Sequence, residues 1–247
     1  MIKKLLKSFA ISLLWLLIWQ IAALIINQPL LMPTPIDTLK ALIVIAQTEE
    51  FYIAVVKSLL RIIIGFALGA GIGFLGGIMA NNFSLFNNFT KPAIQVIRAV
   101  PVASFIILMF FWFQSDELPI FIAFLMVLPM VWSATLTALS GIDKNFIELG
   151  KVYKLSKVKI FFNIKMPFIM PTLLSTCVTA LGFAWKSGIA AEIICRPEIA
   201  LGTLLEKNKS TLEMPTVFAV TVVVALLSII LEVVLKQVVR RVLNAKN

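Results

Sequence analysis

Long apolar runs alternate with short polar breaks along this chain, and the runs set the elements it predicts. Residues 8–26, 61–80, 92–113, 119–140, 167–191 and 215–239 are apolar over about twenty positions, enough for a helix to cross roughly 30 Å of hydrocarbon. The breaks carry patterns of their own. Residues 27–35 (NQPLLMPTP) form a proline-broken loop, and 36–47 have the period of a short amphipathic helix lying outside the membrane. A second short helix is predicted around 201–208, within the polar stretch 192–214. The longest break, 141–166, holds Lys144, Lys151, Lys154, Lys157, Lys159 and Lys165. Lipid-facing helix cannot carry such a set, and a bare linker would keep no hydrophobic period. Here Phe146, Leu149, Gly150 and Tyr153 recur at three and four residues, which predicts a short helix with an apolar docking face.

Inside the runs, small residues and prolines mark special positions. Gly65, Gly69, Gly73 and Gly77 repeat every four residues, a face on which another helix backbone can approach closely. No Gly-Lys-Ser/Thr follows them, so this is a packing ridge and not a phosphate loop. Pro101, shortly after Arg98, and Pro129 interrupt two consecutive runs. Each frees backbone groups that neighbours or cavity water must satisfy, and the pair favours a pathway between those runs.

Composition makes the class definite. The chain is 60% hydrophobic with a mean hydropathy of +1.01, well above the ordinary apolar content of about one half. An all-α polytopic membrane protein of six spans follows, with residues 1–247 as one transmembrane domain. The net charge of +10 would suggest nucleic acid in a soluble chain; between membrane spans it reports an excess of Lys and Arg in cytoplasmic parts. The first run resembles a signal peptide after Lys3, Lys4 and Lys7, yet it is too long and no small-residue cleavage site follows. It is therefore expected as a retained span with its amino end inside. Lys91, the six lysines of the long break, Lys236, Arg240, Arg241 and Lys246 then also fall inside, with both termini cytoplasmic.

Candidate chemistry is sparse. There is no histidine. Cys177 and Cys195 have no His or Cys neighbours at metal spacing, so both are expected as packing residues, with no metal site and no disulfide. No paired carboxylate or activated nucleophile sits within the runs, which argues against an enzyme. Arg61, Lys186 and Glu192 are ionisable residues at expected outer ends of spans, where such groups pair or face water. Lys186 and Glu192, six apart, sit about 120° round a helix and do not share a face. Arg61 with Glu192 is the expected pair. Lys186 is left either to meet an anionic solute or to snorkel toward the interface. Arg61, Pro101, Lys186 and Glu192 are thus the candidate pathway or gate residues.

From about Pro33 to Arg241 the chain resembles the permease subunit of ATP-binding-cassette importers, in the nitrate/sulfonate/taurine branch. The long break is similar to that family's EAA loop through Glu148, Leu149, Gly150, then Lys154-Leu155-Ser156, and finally Pro167 and Pro171. Leu31 to Pro35, Ser58-Leu59-Leu60-Arg61 before the glycine ridge, Arg98-Ala99-Val100-Pro101, Ala184-Trp185-Lys186 and Ala190-Ala191-Glu192 are also family-like. Two positions depart: Leu149 stands where alanine is usual, and Lys154 where glycine normally turns the chain with positive φ. Lys154 implies either a different turn or a tolerated strain. The resemblance implies a type I importer transmembrane fold working as a homodimer in the bacterial inner membrane. It also implies two cytoplasmic ATPases that carry ATP and Mg, none being bound by this chain, and an extracytoplasmic substrate-binding protein. The coupling helix that enters the ATPase would present Phe146, Glu148, Leu149, Gly150, Tyr153, Lys154, Leu155 and Ser156, with Glu148 near its amino end. The solute would be a small anion or sulfonate; a thiamine precursor, another pyrimidine or a flavin-like compound is the alternative. A self-contained secondary transporter or channel is the competing class. It would carry mid-span ion sites or internal repeats, and the sequence shows neither.

Overall fold

The computed structural model describes residues 2–244, with side chains from Ala10 onward; Lys246 and the side chains of Lys3, Lys4 and Lys7 lie outside the described residues. The elements are α1 (Ile2–Ile26), α2 (Pro35–Ile45), α3 (Glu49–Asn82), α4 (Ser84–Ala99), α5 (Val102–Met109), α6 (Leu118–Ser140), α7 (Lys144–Val152), α8 (Lys157–Ile160), a π turn (Phe161–Lys165), α9 (Met166–Cys195), α10 (Leu201–Ser210) and α11 (Met214–Asn244). No strand occurs among the described residues. Among the described residues, four helical stretches are long and apolar enough to cross a membrane: α3, α6, the continuous rod Lys157–Cys195 and α11. The bent pair α4–α5 makes a fifth if counted as one span, and the described apolar part of α1, Ala10–Ile26, is shorter than these.

Each predicted run is helical, yet three boundaries move for identifiable reasons. The 61–80 run sits inside a helix of 34 residues that starts at Glu49. Arg61 is therefore an interior residue of α3 and not the end of a span. The 92–113 run is not one helix. Pro101 holds Val100 in extended backbone (φ −75, ψ 131), because the proline ring disfavours the α region for the residue before it. The chain stops at Ala99, restarts at Val102 and bends by 103°. The 167–191 run begins earlier, at Lys157, through a π turn that closes with the Met166 N–H donating to the Phe161 carbonyl. The two short helices α2 and α10 stand where they were expected. At α2 the Thr34 hydroxyl accepts from the Asp37 N–H (3.1 Å) and donates to its carboxylate (2.7 Å), with Pro35 in the first turn.

The core forms around α6, which packs against α3 on one side and α9 on the other. Gly65, Gly69, Gly73 and Gly77 face α6, and added Cβ atoms would meet Ala123, Val127, Val131 and Thr135 or the α6 backbone. The ring of Trp132 lies over Gly76 in the same way. Ile62, Val127, Val131, Ala184 and Trp185 fill the middle of the bundle. Phe105, Leu118, Ile122, Ala191 and Cys195 fill one end, here the α10 end. Leu139, Ile142 and Ile169, with Ile147 against them, fill the opposite α7 end. The α11 helix is tied on by Trp185, whose indole N–H donates to the Val224 carbonyl at 3.0 Å. α1 is peripheral, held by Trp19 through the Pro33 carbonyl (3.1 Å) and a stack on Phe218, while Leu14, Trp15 and Ile25 stay exposed as lipid-facing residues do.

Candidate functional site

Two polar constructions stand out, one at each end of the bundle. At the α7 end, Asp143 caps α7 by accepting from the Asn145 N–H at 2.9 Å. One side of α7 faces inward: Ile147 joins the core cluster there, and a Cβ on Gly150 would touch Ile160 and Ile164. The opposite side exposes Phe146, Leu149, Val152 and Tyr153. The predicted apolar face is present without Gly150, which belongs to the inner side and lets the α8 rod approach. Glu148 is exposed at the middle of the nine-residue helix, not near its amino end, so the helix dipole acts on it weakly.

The helix ends in a Schellman motif. The Leu155 N–H donates to the Gly150 carbonyl (3.0 Å) and the Lys154 N–H to the Lys151 carbonyl (2.8 Å). Lys154 occupies the left-handed position with φ 52. Of the two options left open by its side chain, the tolerated strain is the one adopted, and the turn usually made by glycine is kept. Ser156 then caps α8 by accepting from the Lys159 N–H at 3.3 Å, with Leu155 half-buried before it. From Lys157 the helix runs unbroken in direction to Cys195, past Pro167 in the first turn of α9 and Pro171 inside it. α7 is thus joined, through the Schellman turn and the Ser156 cap, to the foot of a rod long and apolar enough to cross a membrane.

At the α10 end, Glu192 is fully buried and Arg61 nearly so. They form the expected pair, with Arg61 Nη1 3.6 Å from Glu192 Oε1. That contact is an ion pair and not a hydrogen bond, since Oε1 has no hydrogen-bond partner. The other oxygen, Oε2, accepts from the Ser58 hydroxyl (2.8 Å) and the Gly202 N–H (3.1 Å). Ser58 Oγ in turn accepts from the Leu201 N–H at 3.0 Å. Arg61 completes its shell by donating to the Ile199 carbonyl (3.1 Å) and to the exposed carboxylate of Asp116. One buried carboxylate thus ties α3, α9 and the start of α10, and Arg61 adds the loop between α5 and α6. Asp116 and Gly202 were not singled out by sequence, and Ser58 entered only as part of the family-like run that ends at Arg61. The contacts of Ser58, Asp116 and Gly202 span 134, 55 and 10 residues, and only the fold brings them together.

Lys186 stands apart from this network. It is exposed on α9, on a stripe with Thr172, Ser175, Thr179 and Phe183. The Thr179 hydroxyl donates back to the Ser175 carbonyl at 3.5 Å, so the stripe offers small polar groups with little desolvation demand. Pro101 marks the α4–α5 bend, away from Glu192 in sequence but next to the Phe105 cluster at the same end.

Residues 71–244 match the family described as binding-protein-dependent transport system inner membrane component. The chain belongs to this family. Similar proteins include the taurine transport system permease TauC of Escherichia coli, 25% identical over 229 residues, covering 90% of this chain and 83% of that protein. The nitrate import permease NrtB of Synechococcus elongatus is 28% identical over 192 residues, covering 73% and 68%. In architecture the permease resembles a bacterial alginate ABC transporter solved with an alginate-bound periplasmic protein, with a TM-score of 0.66 at 16% identity over 97% of this chain and 94% of that one. It is a multi-pass ABC importer permease of the nitrate, sulfonate and taurine branch with the type I transmembrane fold. This is a transport family, not an enzyme family.

Proposed function

We propose that this permease works as a homodimer that carries a small anionic solute inward across a bacterial cytoplasmic membrane. Two separate ATPase subunits holding ATP and Mg drive it, and an extracytoplasmic binding protein supplies it. The observation that carries the reading is the α7 surface. Phe146, Leu149, Val152 and Tyr153 are exposed on a capped helix whose Schellman turn leads into a rod of 39 residues. An apolar helix face of this kind suits a groove in a partner, and closure of two ATPases would draw two such helices together and tilt the rods behind them. The lysines around α7 favour the cytoplasmic side, which puts both termini inside and the Arg61–Glu192 network outside. The polar stripe of α9 with Lys186 then faces the second copy across the pathway. The anionic class is supported by the taurine and nitrate relatives.

The test is co-expression with a candidate partner ATPase, followed by co-purification, ATPase assay and uptake. Leu149→Asp should leave expression and thermal stability within about 0.5 kcal/mol of the parent, as for surface positions, and reduce ATPase association at least tenfold. Undiminished association and uptake in Leu149→Asp would sink the coupling assignment. Transport by the purified chain with no ATPase present would favour a secondary transporter.

A further inference from the structure

The groove between α4 and α6 is a polar cavity that the coupling surface and the Arg61 network leave unused. α4 is sided. Phe86, Thr90, Ile94 and Ile97 are its half-buried contact face, and Leu85, Phe89 and Val96 form an exposed apolar ridge. Between them Asn87, Lys91, Gln95 and Arg98 recur at four, four and three residues, and so line up along one edge. Opposite them on α6 stand Ser133 and Thr137, with Trp132 and Leu136, around a cavity of about 340 Å³. Arg98 Nη1 lies 3.3 Å from Ser133 Oγ. No carboxylate lines the groove, and neither Lys91 nor Arg98 has an ion-pair partner among the described residues.

Depth makes this arrangement informative. Ser133 is seven residues (133 to 140) before the end of α6, about 10 Å along the helix at 1.5 Å per residue. The guanidinium beside it thus lies about 10 Å in from the end of an apolar helix long enough to cross a membrane, with no carboxylate paired to it among the described residues. Such a group faces water or a ligand, because hydrocarbon would expel it. The volume suits a solute of a few heavy atoms, and the donors are of one kind: a guanidinium, an ammonium, two side-chain amides and two hydroxyls. A planar or tetrahedral oxyanion would find a forked donor in Arg98 and hydroxyl donors across from it.

We propose that the α4–α6 groove is a binding station for a small oxyanion (sulfonate, nitrate or carboxylate-like) on its way through the permease, with Arg98 and Lys91 as its charge-selecting residues. This rests on the importer reading above and deepens it from a class of solute to a place in the chain. Fields focused by low-dielectric walls raise the local concentration of a matching ion on the order of tenfold or more, and that is measurable without knowing the natural solute. In a Cys177→Ser, Cys195→Ala background, Ser133→Cys is labelled in membranes, within the assembled transporter. The two probes are 2-sulfonatoethyl methanethiosulfonate and its trimethylammonium counterpart. With each rate divided by that reagent's rate with free 2-mercaptoethanol, the sulfonate reagent should be favoured about tenfold or more, and Arg98→Gln with Lys91→Gln should abolish the preference. Equal normalised rates for the two reagents, no labelling by either, or a preference that survives loss of both cations would each overturn the proposal. Failure of the importer reading shows separately, as loss of ATPase co-purification, which labelling does not measure.

Discussion

The two ends of the permease are built on opposite plans. At the α7 end the contacts are local: a cap from Asp143, a Schellman turn six residues wide, a second cap from Ser156, and an apolar face left bare. At the α10 end the contacts are long-range, and one buried carboxylate gathers donors from α3 and α10 while its ionic partner reaches a further loop. An element proposed to meet a separate protein and be moved by it gains from depending little on the rest of the chain. An element that must keep several helices in register gains from the reverse, since breaking any one contact exposes a buried charge. Stability should therefore be concentrated at the α10 end and be tolerant at the α7 end.

The largest effect tests that asymmetry directly. Glu192→Ala leaves Arg61 buried beside only the Ile199 carbonyl and exposed Asp116, and removes the acceptor used by Ser58 and Gly202. Removing one partner of a buried ion pair costs about 3–5 kcal/mol, which for a chain of this size lowers the thermal midpoint by roughly 10 °C. Replacing both charges, as in Arg61→Met with Glu192→Met, should cost less than Glu192→Ala alone. Thermal unfolding in detergent measures both. A Glu192→Ala protein within about 1 kcal/mol of the parent would mean that the network is not a stabilising centre.

A matched pair of glycine substitutions gives the intermediate effect. A Cβ on Gly202 would lie 2.6 Å from the Ile193 backbone N and 2.7 Å from the Glu192 carbonyl carbon, so α9 or α10 must shift. Gly202→Ala should cost about 1–3 kcal/mol, the range for overpacked cores. A Cβ on Gly150 meets only side-chain atoms, Ile164 Cδ1 (3.1 Å) and Ile160 Cγ1 (3.2 Å), and no backbone. Helix propensity returns up to about 1 kcal/mol to alanine there, so Gly150→Ala should be close to neutral. Equal losses in the two variants would erase the contrast between the ends.

The same contrast decides what was legible in the sequence. The apolar face of α7 and the glycine ridge of α3 were readable because helical period is a local property, visible in a window of a dozen residues. Gly150 was misassigned to the outer face because spacing alone cannot say that Ile160 and Ile164 return to cover it. Arg61 and Glu192 were paired by excluding Lys186 from the face of Glu192. Their depth was missed, because hydropathy ends a span at the first charge while the structure neutralises that charge and carries α3 on to Glu49. Asp116 carries no signal of its own, and Ser58 was visible only as part of a family-like run. Both acquire their roles only when the fold brings them to Arg61 and Glu192. Pro101 was recognised as a breaker, but the direction of the 103° bend is set by packing of Phe105 and Ile106 against α6 and α9.

Lys154 gives the smallest effect and the sharpest probe of the α7 end. A non-glycine residue at φ 52 bears about 1–2 kcal/mol of steric cost in the left-handed region. Glycine relieves it but loses about 0.5–1 kcal/mol of extra backbone entropy on folding. Lys154→Gly should thus stabilise the turn by about 0.5–1 kcal/mol, slowing hydrogen exchange at the Lys154 and Leu155 amides several-fold while leaving the global midpoint nearly unmoved. Lys154→Ala keeps a Cβ at the same φ and should change little. Lys154→Pro, fixed near φ −65, cannot adopt the turn and should release both Schellman hydrogen bonds. If Lys154→Gly and Lys154→Ala exchange alike, the turn is not held against strain. If Lys154→Gly moves the global midpoint by several degrees, α7 is part of the cooperative core after all, and the independence argued for this end is wrong.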